Sequence, residues 1–258
     1  MRYFIWFSYD GTRYHGWQRQ PSGHSVQAEM EQAMATLLRQ PVDLTAAGRT
    51  DAGVHARQMA AHFDYCGTYD ISNLAYKLNR LLPQDISIDR VEPVADALHA
   101  RFSATKRTYR YFVHVGKDPF LRHYSLELHY KPDFTLMNEA AATLLAVSDF
   151  AAFCKSGSDV KTTLCNVTHA EWLPAGATGN AWYFEISANR FLRNMVRAVV
   201  GTLLEVGRHR MTVSEFRSVI ESGRRTMAGE SMPAHALFLE SVEYPATGSD
   251  VLTTEETE

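Results

Sequence analysis

The 258-residue chain has only three cysteines, Cys66, Cys154 and Cys165, and none stands in Cys-x-x-Cys spacing. An odd, scattered set excludes a disulfide framework and a zinc ribbon, and reads as buried thiols of a cytoplasmic protein. No apolar run approaches the ~20 residues that a bilayer-spanning helix needs. The opening Met1-Arg2-Tyr3-Phe4-Ile5-Trp6-Phe7 passes straight into polar turn residues, so it reads as a strand and not as a secretory signal. Basic charge is not in excess either: the formal net charge is −3, which does not advertise a nucleic-acid binder. His55 and His62 have no third ligand at recognisable spacing, so no metal site is expected.

What is present is ordinary in bulk and uneven in detail. Hydrophobic residues make up 45% and charged residues 21%, as in a soluble globular protein long enough for a sizeable core. The tail from 246 to 258 holds Asp250, Glu255, Glu256 and Glu258 and no basic residue. Without it the body carries 26 basic against 25 acidic residues. The tail lacks apolar periodicity and reads as disordered. Arginines gather at 101, 107 and 110, at 190, 193 and 197, and at 208, 210, 224 and 225. Such stripes on a near-neutral body permit an RNA partner without demanding one.

Periodicity gives the elements. Tyr3 to Tyr9 suits a central strand, and Ser25 offers an N-cap to a helix reaching about Arg39. Strands are expected over 42–47, 58–65, 86–91, 101–102 and 107–115, with a helix over 73–82 closed by Pro83. The second part predicts a helix over 136–147, strands over 163–173 and 182–188, and a helix over 190–206. Thr212 to Glu215 has capping-box spacing, Gly223 reads as a helix stop, and 236–244 closes as a strand. Strand pairs mixed with helices favour an α+β sheet protein of two similar halves. The expected division is a lobe over 1–115, a lobe over 116–245 and the tail.

Chemistry concentrates in Ala46-Ala47-Gly48-Arg49-Thr50-Asp51-Ala52-Gly53-Val54-His55-Ala56. One carboxylate sits between two glycines, two residues after an arginine that offers it a counter-charge. Gly48 and Gly53 allow tight turns and close approach to a ligand, and the small alanines leave Asp51 unshielded. The plainer reading of Thr50 to Gly53 is an Asx-type turn between strands. In 107–115 the two-residue period places Tyr109, Tyr111, Val113 and Val115 on one face, where Tyr109 alone reads as a half-buried core aromatic. Arg190, Arg193 and Arg197 share one helical stripe, by default a solvated face. Arg197 nevertheless stands among Met195, Val196, Ala198, Val199 and Val200, with Gly201 permitting close approach. A partly buried arginine needs an acid partner. Arg49 and Arg57 flank Asp51 and are candidates for holding phosphates.

The Asp51 segment resembles the catalytic-aspartate motif of the tRNA pseudouridine synthase A family, and the likeness continues beyond it. Phe7-Ser8-Tyr9-Asp10-Gly11-Thr12, with Tyr14-His15-Gly16-Trp17-Gln18-Arg19-Gln20-Pro21 and Val26-Gln27, is similar to that family's N-terminal signature. Ala100-Arg101-Phe102-Ser103-Ala104-Thr105, leading into Arg107-Thr108-Tyr109-Arg110-Tyr111, resembles its tyrosine segment, and 189–197 its arginine helix. The ordered set spans roughly residues 3 to 245.

The resemblance implies a pseudouridine synthase fold, a central and largely antiparallel sheet with helices and two similar lobes around a cleft. It implies isomerisation of uridines at positions 38, 39 and 40 in the anticodon arm of tRNA, by a cytoplasmic homodimer needing no metal or organic cofactor. Asp51 would be the nucleophile or base on the ribose of the flipped uridine. Tyr109 would stack on the base and move a proton, and Arg197 would pair with Asp51. Leu237 would pack against the base, although Ala236 replaces a usual glycine and Met232 a usual smaller residue. Arg49, Arg57, Arg101 and Arg107 are the remaining substrate-binding candidates. The rival readings are a synthase of the same fold acting elsewhere on RNA, an RNA-binding module with a vestigial site, and a carboxylate hydrolase. The hydrolase is disfavoured because no second acid stands out beside Asp51.

Overall fold

A computed structural model describes residues 1–245 apart from 22, 159, 177 and 178. The acidic tail lies outside the described residues. Among the described residues nine strands form one sheet with a main path of seven. These are β1 (Arg2–Tyr9), β2 (Thr45–Ala46), β3 (His55–Asp64), β4 (Ile86–Val94), β5 (Lys106–Val115), β6 (Leu126–Leu128), β7 (Val167–Pro174), β8 (Ala181–Ala188) and β9 (Leu237–Glu243). The order along the path is β4-β1-β3-β9-β5-β8-β7, with β2 on β3 and β6 on β5. Six pairings are antiparallel, and only β3–β9 and β5–β6 are parallel. The α+β, largely antiparallel expectation therefore holds.

Among the described residues five α-helices accompany the sheet: α1 (Val26–Leu38), α2 (Leu74–Leu81), α3 (Phe134–Ala142), α4 (Met195–Gly207) and α5 (Val213–Ser222). Ser25 caps α1 by accepting from the Ala28 amide, and Val26, Met30, Ala33 and Met34 bury its inner stripe. Thr212 and Glu215 form the expected capping box at α5, and Gly223 ends that helix at φ +62°. None of the helices among the described residues is long and apolar enough to cross a membrane.

Apolar side chains divide into two principal cores. One joins β1, β3 and β4 to α1 and α2; the other joins β5, β7 and β8 to α3, α4 and α5. Tyr109 packs against both. A third, smaller cluster of Phe4, Trp6, Ala60 and Ala100 explains why Phe4, Ile5, Trp6 and Phe7 are all buried in succession: β1 has apolar neighbours on both faces. Cys154 and Cys165 are buried as expected, but Cys66 is exposed just beyond the end of β3.

The seam of the sheet positions the site. Strands β3 and β9 run parallel through His55↔Phe238 and Ala56↔Leu239. Parallel neighbours are entered from the same end, so the Asp51 loop before β3 and the segment before β9 arrive side by side.

Several boundaries differ from expectation. Residues 101–102 form no strand: Ser103 N–H donates to the His99 carbonyl, and His99 Nδ1 accepts from the Arg101 and Phe102 amides, closing a turn. The 42–47 strand shrinks to Thr45–Ala46, and the strand expected from residue 163 starts at Val167. The helix expected over 136–147 starts at Phe134, where Asp133 caps it, and passes into a 3-10 turn after Ala142.

Candidate active site

The Asp51 loop is built by neighbours on both sides. Tyr9 and Thr50 share a buried hydroxyl–hydroxyl bond of 2.8 Å. The Trp17 amide donates to the Thr50 carbonyl, and the Gly53 amide donates to the Tyr14 carbonyl. Gly16, at φ +87°, lies so close that a Cβ would come within 2.4 Å of the Thr50 oxygen. The Tyr-His-Gly-Trp signature thus braces the carboxylate's own backbone. Gly53 takes φ +78°, as the expected tight turn requires, whereas Gly48 borders open space. The Val54 amide closes the turn on the Asp51 carbonyl.

Asp51 faces a cleft of about 620 Å³ lined also by Ala52, Lys155, Ser156, Arg193, Asn194, Arg197, Arg225 and Ser231. Among the described residues lining the cleft it is the sole carboxylate, against four cations. Arg197 Nη1 stands 3.5 Å from Asp51 Oδ2, and Arg193 Nε stands 3.7 Å from Oδ1. The expected Arg197 partnership is present, joined by a second arginine. Asp51 is 28% exposed, so the carboxylate remains reachable from the cleft.

The arginine stripe is not a helical stripe. Helix α4 begins at Met195, because Asn194 adopts a left-handed conformation at φ 67° and the Arg193 carbonyl accepts from the Lys155 amide. Arg190 and Arg193 lie in the preceding loop, and only Arg197 is on the helix. Phe191, freed from the helical path, meets Tyr109 edge-on at 5.0 Å between centroids. Tyr109 is half-buried. Burial pushes its phenol up to about 12, with the negative charge of Asp51 adding to the rise. The hydroxyl therefore stays protonated at neutral pH, a donor beside an aromatic face.

The other candidates disperse. Arg107 directs its guanidinium at four carbonyls: those of Ala47, Arg101, Ala104 and Asn189. Arg57 pairs with Glu240 and lies over the Phe238 and Phe112 rings. Those rings lie on the opposite sheet face from Tyr109, as strand alternation requires. Arg110 is on that same face, held by Glu185 and Glu240. Arg49 and Arg101 are exposed, and neither side chain makes a hydrogen bond or ion pair to a described residue. Leu237 opens β9, 6% exposed, in the core that also contains Val54 and Tyr111. Ala236 is fully buried without a positive φ, so its Cβ is accommodated there. Met232 contributes backbone: its amide donates to the Arg197 carbonyl and its carbonyl accepts from Arg197 Nε.

His55 and His62 are occupied inside the protein. His55 Nδ1 accepts from the Gly11 amide and Nε2 meets the His235 carbonyl, while His62 Nδ1 accepts from the Ala100 amide. The cleft residues Lys155, Ser156, Arg225 and Ser231 were not expected from the sequence. Arg225 was marked only as part of an arginine cluster.

Known proteins align with this arrangement over most of the chain. A family model described as tRNA pseudouridine synthase matches residues 5–103 and 140–245. Asp51, Arg197 and Leu237 fall inside the matched segments, with Tyr109 between them. The protein named tRNA pseudouridine synthase A in Bacteroides thetaiotaomicron is 54% identical over 244 residues, 95% of this chain and 91% of its own length. The protein of the same name in Bacteroides fragilis is 55% identical over 245 residues, covering 95% and 96%. In Bacillus subtilis the like-named protein is 38% identical over 248 residues, covering 95% and 99%. The motifs around Asp51 and Arg197 are thus part of a likeness that runs nearly end to end, and the chain belongs to the tRNA pseudouridine synthase family.

Proposed function

We propose that this protein isomerises uridine to pseudouridine at positions 38, 39 and 40 of the anticodon arm of tRNA, with Asp51 as the group that acts on the flipped nucleotide. The observation that carries the reading is one reachable carboxylate among the described residues of a cleft that they line with four cations, three small polar side chains and Ala52. Isomerisation breaks the N-glycosidic bond, turns the base, and joins C1′ to C5, from which a proton then leaves. Oxidation state does not change, so the chemistry calls for a nucleophile or base and not for a redox group. Asp51 serves either as nucleophile on the ribose or as base toward it. Arg193 and Arg197 balance its charge before reaction and hold it in place.

Tyr109 offers an aromatic face, braced by Phe191, for a base removed from its stack. Its protonated hydroxyl supplies a hydrogen-bond donor, and a proton when one is needed. Lys155 at the cleft adds exposed positive charge for phosphates, and the exposed Arg49 and Arg101 are further phosphate candidates. A cytoplasmic homodimer, with one tRNA spanning both chains, completes the proposal.

Incubation of the purified protein with an unmodified anticodon stem-loop transcript in excess chelator, followed by pseudouridine mapping, tests it. Product at 38, 39 or 40 is expected. Product elsewhere on RNA favours a synthase of different site choice, and tight binding without product favours the vestigial module.

A further inference from the structure

The segment from Ala228 to Met232 lies across the first turns of α4 like a strap. The Gly229 amide donates to Thr202 Oγ1 at 2.9 Å, and the Met232 amide donates to the Arg197 carbonyl at 3.1 Å. At Gly201 and Gly229 the contact between strap and helix is backbone on backbone. A Cβ on Gly201 would stand 1.8 Å from the Glu230 oxygen, and one on Gly229 would stand 2.9 Å from the carbonyl carbon and oxygen of Gly201. Only glycine admits so close an approach without displacing a backbone.

The far side of the strap is held by one side chain. Arg225 Nη1 donates to the Gly229 carbonyl at 2.9 Å and the Ala228 carbonyl at 3.3 Å, and Nη2 donates to Ser231 Oγ at 2.8 Å. Ser231 Oγ also accepts from Asn194 Nδ2, the residue that turns the chain into α4. Both acceptor positions of that hydroxyl are filled, which leaves its proton directed elsewhere.

The strap returns this order to the site through Arg197. Arg197 Nε donates to the Met232 carbonyl while Nη1 faces Asp51 at 3.5 Å. A guanidinium is planar, so fixing Nε at one edge fixes where the other edge points. We infer that Arg225 is a positioning residue for the reaction: by tying down the 228–232 strap, it sets the Met232 carbonyl that aims Arg197 at Asp51. Gly201 performs the complementary task from the helix side by letting the strap seat. The inference rests on the reading of Asp51 as the acting carboxylate.

Two readouts test it in the full-length protein. The first needs no turnover. In wild type the Arg197 Nε–H, bonded inside the protein, should give a resolved NMR signal protected from solvent exchange, and Arg225→Ala should abolish that protection. Persistence of the protected signal in Arg225→Ala overturns the inference, whether or not the protein proves to be a synthase. The second is a double-mutant cycle on single-turnover pseudouridine formation. Misplacement of a catalytic constellation by about 1 Å costs roughly 10²-fold, so Arg225→Ala and Gly201→Ala should each slow the step by about tenfold to a hundredfold. Binding of tRNA to Gly201→Ala should stay within about threefold of wild type, since that change removes no cation, whereas Arg225→Ala also takes one of the four cations from the cleft. In an Arg197→Ala background the Arg225→Ala penalty should vanish. An equal penalty in both backgrounds, or weaker tRNA binding with an unchanged rate, assigns Arg225 to substrate contact and overturns the positioning role. Full activity of Asp51→Asn would instead overturn the parent reading alone.

Discussion

Phe191 meets the Tyr109 ring edge-on, with centroids 5.0 Å apart and planes at 80°. That geometry presents the positive edge of one ring to the negative face of the other. It holds Tyr109 upright where the two principal cores meet. The phenol, pushed up to about 12 by burial, is a donor and not a standing base. Tyr109→Phe keeps the stacking surface and deletes only the hydroxyl. Product formation should fall by roughly 10²-fold or more, the usual contribution of a positioned proton donor, while tRNA affinity stays unchanged. Full activity would return Tyr109 to a packing role.

Arg107 and Arg101 should separate into structure and binding. The Arg107 guanidinium bonds four carbonyls from three stretches of chain, around residues 47, 101–104 and 189. Arg107→Ala strands those acceptors and should lower the unfolding free energy by about 2 kcal/mol or more, read by urea denaturation. Arg101 is exposed with its side chain turned to solvent along Phe102. Arg101→Ala should leave stability within about 0.5 kcal/mol. It should reduce the log–log salt slope of tRNA binding by about 0.7–0.9. The reverse assignment, with Arg107 stable on truncation and Arg101 without effect on the slope, would contradict the geometry.

His62 makes the fold sensitive to acid. It is buried on β3, accepts from the Ala100 amide, and its pKa is lowered from 6.5 to about 4, first by burial and then by Arg2 and His99. The unfolded chain therefore binds the proton more readily than the folded one. Stability from this group is complete above about 6.5 and is lost as pH falls toward about 4. Urea midpoints measured between these values should decline for wild type and decline less for His62→Gln. Parallel declines in both proteins would remove His62 from the acid response.

Much of the frame was readable because it depends on local chemistry. Ser25, Thr212 with Glu215, and Gly223 each satisfy helix-end groups within a few residues, so their caps appear where the pattern put them. The Asp51 loop was legible as a tight turn from Gly53, but its local chemistry read equally as a plain Asx-type turn, and the working role of Asp51 came from the family resemblance. The start of α4 was not. Phe191, Met195, Val199 and Leu203 keep perfect spacing, yet the chain turns at Asn194 because the Arg193 carbonyl is claimed by Lys155, far away in sequence. Arg107 misled for the same reason: its charge suggested phosphate, while carbonyls from distant segments converge on it. Arg225 and the strap were hidden altogether, since the signal is a backbone contact between Gly201 and Glu230. Periodicity reports what faces the core, and not which remote carbonyl a side chain will meet.

The central claim is that Asp51 performs the chemistry, and Asp51→Asn tests it most directly. The exchange keeps size and shape but removes the charge and basicity set between Arg193 and Arg197. The fold should persist, because the loop is held by its backbone through Tyr14, Trp17 and Tyr9–Thr50 and not by the carboxylate. Binding of tRNA should persist or tighten, since one negative charge leaves a cationic cleft. Pseudouridine formation in a single-turnover assay on an anticodon stem-loop should collapse by on the order of 10⁴-fold or more, as when other sole nucleophiles are removed. A folded Asp51→Asn protein that forms pseudouridine at the wild-type rate would contradict the account.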